Sequence, residues 1–372
     1  MYQAEHGYNL VKLFRAEFEL CKLKPGDTAA IMSSASVPGL PGPWSYRKDY
    51  VDAAFQAFEE LGVAAFHIEL PPIPKPILPI LDGQSAVGKN VTAGMGGTAL
   101  AGLRPAMSAL KQVNFVLDLA MTLFSPELAE MVGANAKVLI VCEPPEPCAR
   151  LFPSEDLKRR LLNAKRRMDK GKTRKFSVTS EAGTDITIEI GQYSAAIECG
   201  YADDAGRWDA FPSGQAFCFA NDGSGDGVFV LNKGDQVVLP YMRYIEEPVT
   251  LVVKEGYIRE IKGGADAQLI RDHLESWHDP EVYALGHQSL GLHPNARWDA
   301  SAVYGWDSLG MDARIFYGCY LLGTGPNTLG GGKRNTPCHF DIPMRNCSAV
   351  IDGEVILDKG RVVPDDLRVQ GR

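Results

Sequence analysis

Between residues 28 and 142 short apolar runs alternate with amphipathic stretches, and this alternation constrains the fold more than any other feature of the chain. Apolar runs at Thr28–Ser33, Val63–Leu70, Asn114–Leu119 and Lys137–Cys142 read as strands. Helices are predicted over Asn9–Leu23, Tyr46–Leu61 and Thr98–Gln112, and from Ser125 onward, where Pro126 suits a first turn. In the second of these, Tyr50, Ala54, Phe58 and Leu61 recur at helical spacing and should face a sheet. Strand-helix alternation of this kind predicts a parallel sheet covered on both faces. Such sheets bind ligands beyond the C-terminal ends of their strands, which makes Phe124 a candidate to line a pocket.

The texture changes near residues 170–176. Asp185–Ile190, Gly227–Leu231 and Val249–Val253 are rich in β-branched residues and are separated by Gly and Asp turns. A helix is expected at Ala265–Trp277, with further helix or loop around His287, and Asp352-Gly353 signals a hairpin. The expected fold class is therefore α/β: a parallel-sheet α/β domain at 1–172 and a mixed, β-rich metal-binding domain at 173–372. A chain of 372 residues exceeds what one core usually organises, in keeping with two domains. Val37–Pro43 and Pro71–Pro79 can continue neither strand nor helix. Gly83–Asn90 nearly spells a phosphate-binding loop, but Asn90 stands where Ser or Thr would bind magnesium, and prolines replace the preceding strand.

A net charge of −8 argues against a general polyanion binder. Ten of the 38 basic residues fall in Lys158–Lys175, yet Ser154 as N-cap, Glu155 and Asp156 in the first turn and cations toward the end describe a solvated helix. No apolar run is long enough to span a bilayer, and Met1–Glu17 lacks the pattern of a signal peptide. Eight cysteines without CxxC spacing suit a reducing compartment. A cytoplasmic protein contacting neither membrane nor nucleic acid is the expectation.

The chemistry is expected at Thr336–Pro343, where His339 and Asp341 stand two residues apart. In an extended segment both project from one face. With one further neutral nitrogen they would form a two-histidine, one-carboxylate site for ferrous iron with open positions for substrate and dioxygen. His287, set off by Gly286, is the leading candidate, with His293 competing. His273 and His278 are five apart and do not form a His-Glu-x-x-His pair; His6 lies near the terminus, and His67 reads as a buried, hydrogen-bonded strand residue.

Several longer motifs are more specific than any of these pieces. They include Tyr201-Ala202-Asp203-Asp204, Asp279-Pro280-Glu281-Val282-Tyr283, Met311-Asp312-Ala313-Arg314 and Thr324-Gly325-Pro326-Asn327-Thr328. Gly331-Gly332-Lys333-Arg334 then leads into Thr336-Pro337-Cys338-His339 and Arg345-Asn346-Cys347. Together they resemble the 2,5-dihydroxypyridine 5,6-dioxygenases, relatives of the aminopeptidase T-type metallopeptidases. The resemblance implies one Fe(II) held by His287, His339 and Asp341, with a small aromatic substrate and O2 as partners in a homo-oligomer. It also departs from the family: Phe124 and Ala210 stand where the relatives carry histidines. The alternative is a metal-dependent aminopeptidase; Gln215 and His287 replace metal-binding glutamates of that group, which disfavours a two-metal centre.

Within this reading Glu198 is the first candidate for proton transfer, with Tyr201 near it. Arg314 and Lys333 are candidates to neutralise substrate oxygens, and Phe124 to stack on the ring.

Overall fold

Five parallel strands form the first layer of the protein, seen in a computed structural model that describes residues 9–34, 47–70, 103–123, 125–141, 143–336 and 338–369. They are built from β1 (Thr28–Ser34), β2 (Ala64–Leu70), β3 (Phe115–Asp118) and β4 (Lys137–Val141), in the order β2-β1-β3-β4, with a fifth strand from further along the chain beside β4. Helices α1 (Leu10–Leu20) and α2 (Arg47–Glu60) cover one face. Phe18 and Phe58 stack there with ring centroids 4.2 Å apart, and Tyr50, Ala54 and Phe58 are buried as their spacing predicts. The expected helix at Thr98–Gln112 shrinks, among the described residues, to a 3-10 turn at Arg104–Ala106 and the single turn α3 (Met107–Leu110). Pro105 has no N–H to donate and suits only a helix start. In α4 (Pro126–Gly133) the Ser125 side chain accepts from the Leu128 N–H, and Pro126 occupies the first turn. His67 is not buried as expected: it sits exposed on the edge strand β2, its Nε2 2.7 Å from Ser33 Oγ. Phe124, His6, the 37–43 and 71–79 loops and the Gly83–Asn90 segment lie outside the described residues.

After α5 (Pro145–Arg150), helix α6 (Glu155–Met168) carries the basic cluster. Ser154 caps it, accepting from the Leu157 N–H. Its cations are largely engaged within the chain: Lys158 meets Asp203 at 2.5 Å, Arg160 donates to Asp156 and to the Leu292 carbonyl, and Arg167 meets Glu354 and Asp366.

The remaining strands are β5 (Arg174–Ser180), β6 (Asp185–Ile190), β7 (Ala196–Glu198), β8 (Trp208–Phe211), β9 (Gln215–Phe219), β10 (Asp226–Leu231), β11 (Gln236–Val237), β12 (Arg243–Tyr244), β13 (Val249–Lys254) and β14 (Tyr257–Lys262). Beyond helix α7 (Ala265–Ser276) come β15 (Leu285–Gly291), the short helices α8 (Ala300–Tyr304) and α9 (Met311–Arg314), β16 (Tyr320–Thr324), β17 (Asp341–Met344), β18 (Cys347–Ile351), β19 (Glu354–Asp358) and β20 (Arg361–Val362). Apart from β8, they form an antiparallel sheet of eight strands, ordered β14-β13-β10-β6-β5-β18-β19-β20, one of five, ordered β17-β16-β15-β9-β7, and the two-stranded pair β11-β12. Asp352 and Gly353, with φ of 47° and 87°, make the tight turn between β18 and β19. Phe176 of β5 and Phe229 of β10 both pack on the buried Tyr320 of β16, joining the two sheets face to face. Sheet membership crosses residue 173: β8 is the fifth parallel strand, pairing with β4 from Val138↔Trp208 to Val141↔Phe211.

Candidate metal centre

The five-stranded antiparallel sheet carries the site. His287 lies neither on a helix nor in a loop, as expected from its surroundings, but in the fully buried strand β15. The expectation missed this because Gly286 and the run that follows lack the β-branched residues of a typical strand, while pairing to β9 and β16 comes from distant segments. His339 precedes β17 and Asp341 opens it, and the two side chains converge as the period of an extended chain requires.

The donor atoms of His287, His339 and Asp341 all lie within 4.8 Å of one another, and all three residues are buried. Asp341 Oδ1 is 2.9 Å from His287 Nε2 and 3.3 Å from His339 Nε2. The other ring nitrogens are held from behind: His339 Nδ1 is 2.7 Å from the Thr324 carbonyl, and His287 Nδ1 is 2.8 Å from Ser289 Oγ. A carbonyl only accepts, so His339 Nδ1 carries a proton. In the neutral ring its Nε2 lone pair then faces the Asp341 carboxylate, and such an arrangement calls for a cation between them. Burial, with His339 and Arg314 nearby, outweighs the pull of Asp341 and pushes the His287 pKa down, which favours the neutral ring a metal needs. Burial opposes ionisation of Asp341, but Arg314 and the two histidines outweigh it and hold the carboxyl well below its usual range. Arg314 Nη2 lies 2.6 Å from Asp341 Oδ2, leaving Oδ1 to the histidines.

Leu123, Glu198, Gln215, Phe217, Arg314 and Leu329 complete the cavity wall around the three donors. Leu123 comes from the loop after β3, so the site does border the C-terminal end of the parallel sheet. Glu198 accepts from Ser213 Oγ at 3.1 Å and from Gln215 Nε2 at 2.8 Å. Burial, with Asp209, pushes its pKa up to about 7 against the pull of Gln215, Arg314 and Ser213.

Two of the expected residues stand elsewhere. The Tyr201 hydroxyl donates to Glu155 Oε1 at 2.9 Å under Lys158, and Tyr201 is not among the cavity-lining residues. Lys333 is exposed in a separate outer cleft with Tyr193, Asp222, Tyr257 and Glu281. Its neighbour Arg334 is a staple, donating to the Gly325 and Leu285 carbonyls. Ala210 packs in an apolar cluster with Leu151, Met311 and Ile315. The competing histidines are occupied structurally: His273 Nε2 accepts from Trp277 Nε1, and His293 Nδ1 accepts from the Asn295 N–H. Burial pushes both pKa values down to about 4.

Ser289, Phe217 and Gly323 were missed from the sequence, and Thr324 was noted only as part of a motif. Ser289 alone had a local signal, because it stands two residues from His287 on the same face of a strand.

An α/β chain whose antiparallel sheet gathers two imidazoles and one carboxylate belongs, by fold and site, among proteins able to hold one metal ion at a two-histidine, one-carboxylate centre. The sequence profile of the 2,5-dihydroxypyridine 5,6-dioxygenases matches residues 9–364. A 2,5-dihydroxypyridine 5,6-dioxygenase from Pseudomonas putida is 41% identical over 322 residues, 86% of this chain and 89% of that one. The solved 2,5-dihydroxypyridine dioxygenase from the same organism superposes with a TM-score of 0.85 at 39% identity, covering 96% and 98% of the two chains. The chain belongs to the 2,5-dihydroxypyridine 5,6-dioxygenase family. Wild-type AmpT from Thermus thermophilus shares the fold, with a TM-score of 0.58 at 13% identity over 95% and 99% of the chains. Family membership supports the dioxygenase reading over the peptidase one.

Proposed function

We propose that this protein is an Fe(II)-dependent ring-cleaving dioxygenase acting on a hydroxylated N-heteroaromatic such as 2,5-dihydroxypyridine or a close analogue. The convergence of His287, His339 and Asp341 on one point carries the proposal. The donor set fits ferrous iron: two neutral nitrogens, one carboxylate oxygen and no thiolate among them. Ferrous iron, when bound, supplies the electronic contact between an electron-rich ring and dioxygen that the two lack on their own.

The chain's own groups have separable tasks. Arg314 holds Asp341 ionised and, on the cavity wall, offers positive charge to a substrate oxygen. Glu198, with a pKa of about 7, can take a ring hydroxyl proton near neutral pH and return it when the opened product forms. Phe217, edge-on to His287 with centroids 5.7 Å apart, joins Leu123 and Leu329 in an apolar wall for the ring. Tyr201 and Lys333 have no part in this proposal. The space beside the donors is about 20 Å³, room for a water, and Leu123, Phe217 and Leu329 line it.

Protein reconstituted anaerobically with Fe(II) should hold about one iron per chain and consume O2 with hydroxypyridines, and His339→Ala should lose both. Release of amino acids from peptides with Co(II) or Zn(II) and without O2 would establish the peptidase instead. A cytoplasmic homo-oligomer remains part of the proposal. Among the described residues seven buried cysteines stand unpaired, which supports a reducing location. Light scattering tests the assembly.

A further inference from the structure

Glu198 and Gln215 are direct cross-strand partners on β7 and β9. The Glu198 carboxylate accepts from Ser213 Oγ and Gln215 Nε2, both on its Oε2. In its ionised form the Glu198 carboxylate only accepts, so the Gln215 amide then presents its nitrogen there and turns its oxygen the other way. That oxygen, Gln215 Oε1, is buried without a hydrogen-bond partner on a residue only 4% exposed, and Gln215 lines the cavity holding His287, His339 and Asp341. A buried acceptor with its partner missing is unfavourable, and a site built this way rewards a ligand that brings the donor.

We propose that Gln215 Oε1 is a specificity-determining acceptor that takes a hydrogen bond from the ring N–H of a substrate in its pyridone form. This rests on the ring-cleaving reading above. The choice of donor follows from the rest of the cavity. Arg314 offers only donors and a metal offers a Lewis acid, so both recruit substrate oxygens. With Glu198 assigned to the ring hydroxyl proton, the ring N–H is the group left to be matched, and it is also what separates a hydroxypyridine from a hydroxyarene of the same shape. Phe217, on the same face of β9 as Gln215, supplies an apolar surface beside that contact.

The test uses Fe(II)-loaded protein under argon, titrated calorimetrically with 2,5-dihydroxypyridine and with hydroquinone, which keeps both oxygens and replaces the ring nitrogen with C–H. The wild type should prefer the pyridine by about tenfold or more, the effect of one well-formed hydrogen bond. Gln215→Leu and Gln215→Met should reduce that preference to about threefold or less by weakening pyridine binding alone. Any disturbance passed through Glu198 affects both ligands and cancels in the ratio. With O2 admitted, the variants should raise KM for the pyridine more than they lower kcat. An unchanged ratio in both variants, or no preference in the wild type, overturns the inference and leaves the ring-cleaving reading standing. Failure of both rings to bind the wild type overturns both readings.

Discussion

The imidazole of His287 lies across Gly323 of the neighbouring strand, so near that a Cβ built on Gly323 would stand 2.5 Å from His287 Nε2. Gly323 pairs with Asp341 in the β16–β17 register, so this is the gap through which the β15 histidine reaches the β17 carboxylate. A single methyl group at that point should therefore unmake the centre while leaving most of the sheet alone. Gly323→Ala is expected to weaken metal binding by about tenfold or more and to lower activity at least in proportion, with a modest loss of thermal stability from the crowding. Metal titration followed by a melting curve checks it; an unchanged metal affinity would show that His287 is not required where it stands.

Arg314 and Asp341 form a buried ion pair, with side chains 9% and 3% exposed. Removing one partner of such a pair leaves an uncompensated charge, which costs about 3–5 kcal/mol. Arg314→Met should therefore destabilise the metal-free protein strongly, and bound metal should recover much of the loss by taking over the neutralisation of Asp341. The measurement is the difference in melting temperature between metal-free and metal-loaded forms, which should be larger in the variant than in the wild type. Because the Asp341 pKa is depressed by folding, its contribution is present above the unfolded value of about 4 and fades as pH falls through the folded one.

The Glu198 pKa of about 7 has opposite consequences for activity and stability. If the carboxylate form takes the substrate proton, kcat/KM should rise with pH through about 7, and Glu198→Gln should flatten that limb and lower the plateau by about 10²–10⁴-fold. For stability the sign reverses: the folded state keeps a proton that the unfolded state has released. The contribution is thus full below the unfolded pKa, 4.5, and is lost as pH rises through about 7. Denaturant titrations at pH 5 and pH 8 should show a smaller decline in Glu198→Gln than in the wild type.

Glu143 is buried at the far end of a link to the site. Its Oε1 accepts from the backbone N–H groups of Leu309 and Met311 at the start of α9, whose last residue is Arg314. Arg150 grips the same turn through Asp312 at 2.7 Å. Glu143→Ala should let α9 shift and lower kcat by about tenfold or more through Arg314, while iron content stays near that of the wild type because none of the three donors is touched. Iron loss equal to the activity loss would point to general unfolding instead.

Much of the site was legible because part of its geometry is local. His339 and Asp341 share a face through the two-residue period of an extended chain, and no distant contact is needed to know it. Ser125 and Ser154 declared their helix starts for the same reason: a cap reaches only three residues. His287 could be singled out as a candidate ligand but not as a strand residue, since the pairing of β15 with β9 and β16 joins segments about seventy and thirty residues away. Tyr201 and Lys333 illustrate the converse. Their motifs mark the family, but the Tyr201 hydroxyl is engaged by Glu155 from α6, and Lys333 is exposed in a separate cleft.

By itself, the sequence determined the periodicities, and with them the parallel α/β layer, the β-rich remainder and the shared face of His339 and Asp341, while its longer motifs pointed to His287 as the third member of the group. Only the tertiary structure decided which strand passes beside which: that Gly323 separates β15 from β17, that Gln215 faces Glu198, and that β8 crosses back to the parallel sheet. The physical reason is that side-chain direction along one strand is set by bonds between neighbours, whereas register between strands is chosen by hydrogen bonds and packing among residues far apart in the chain.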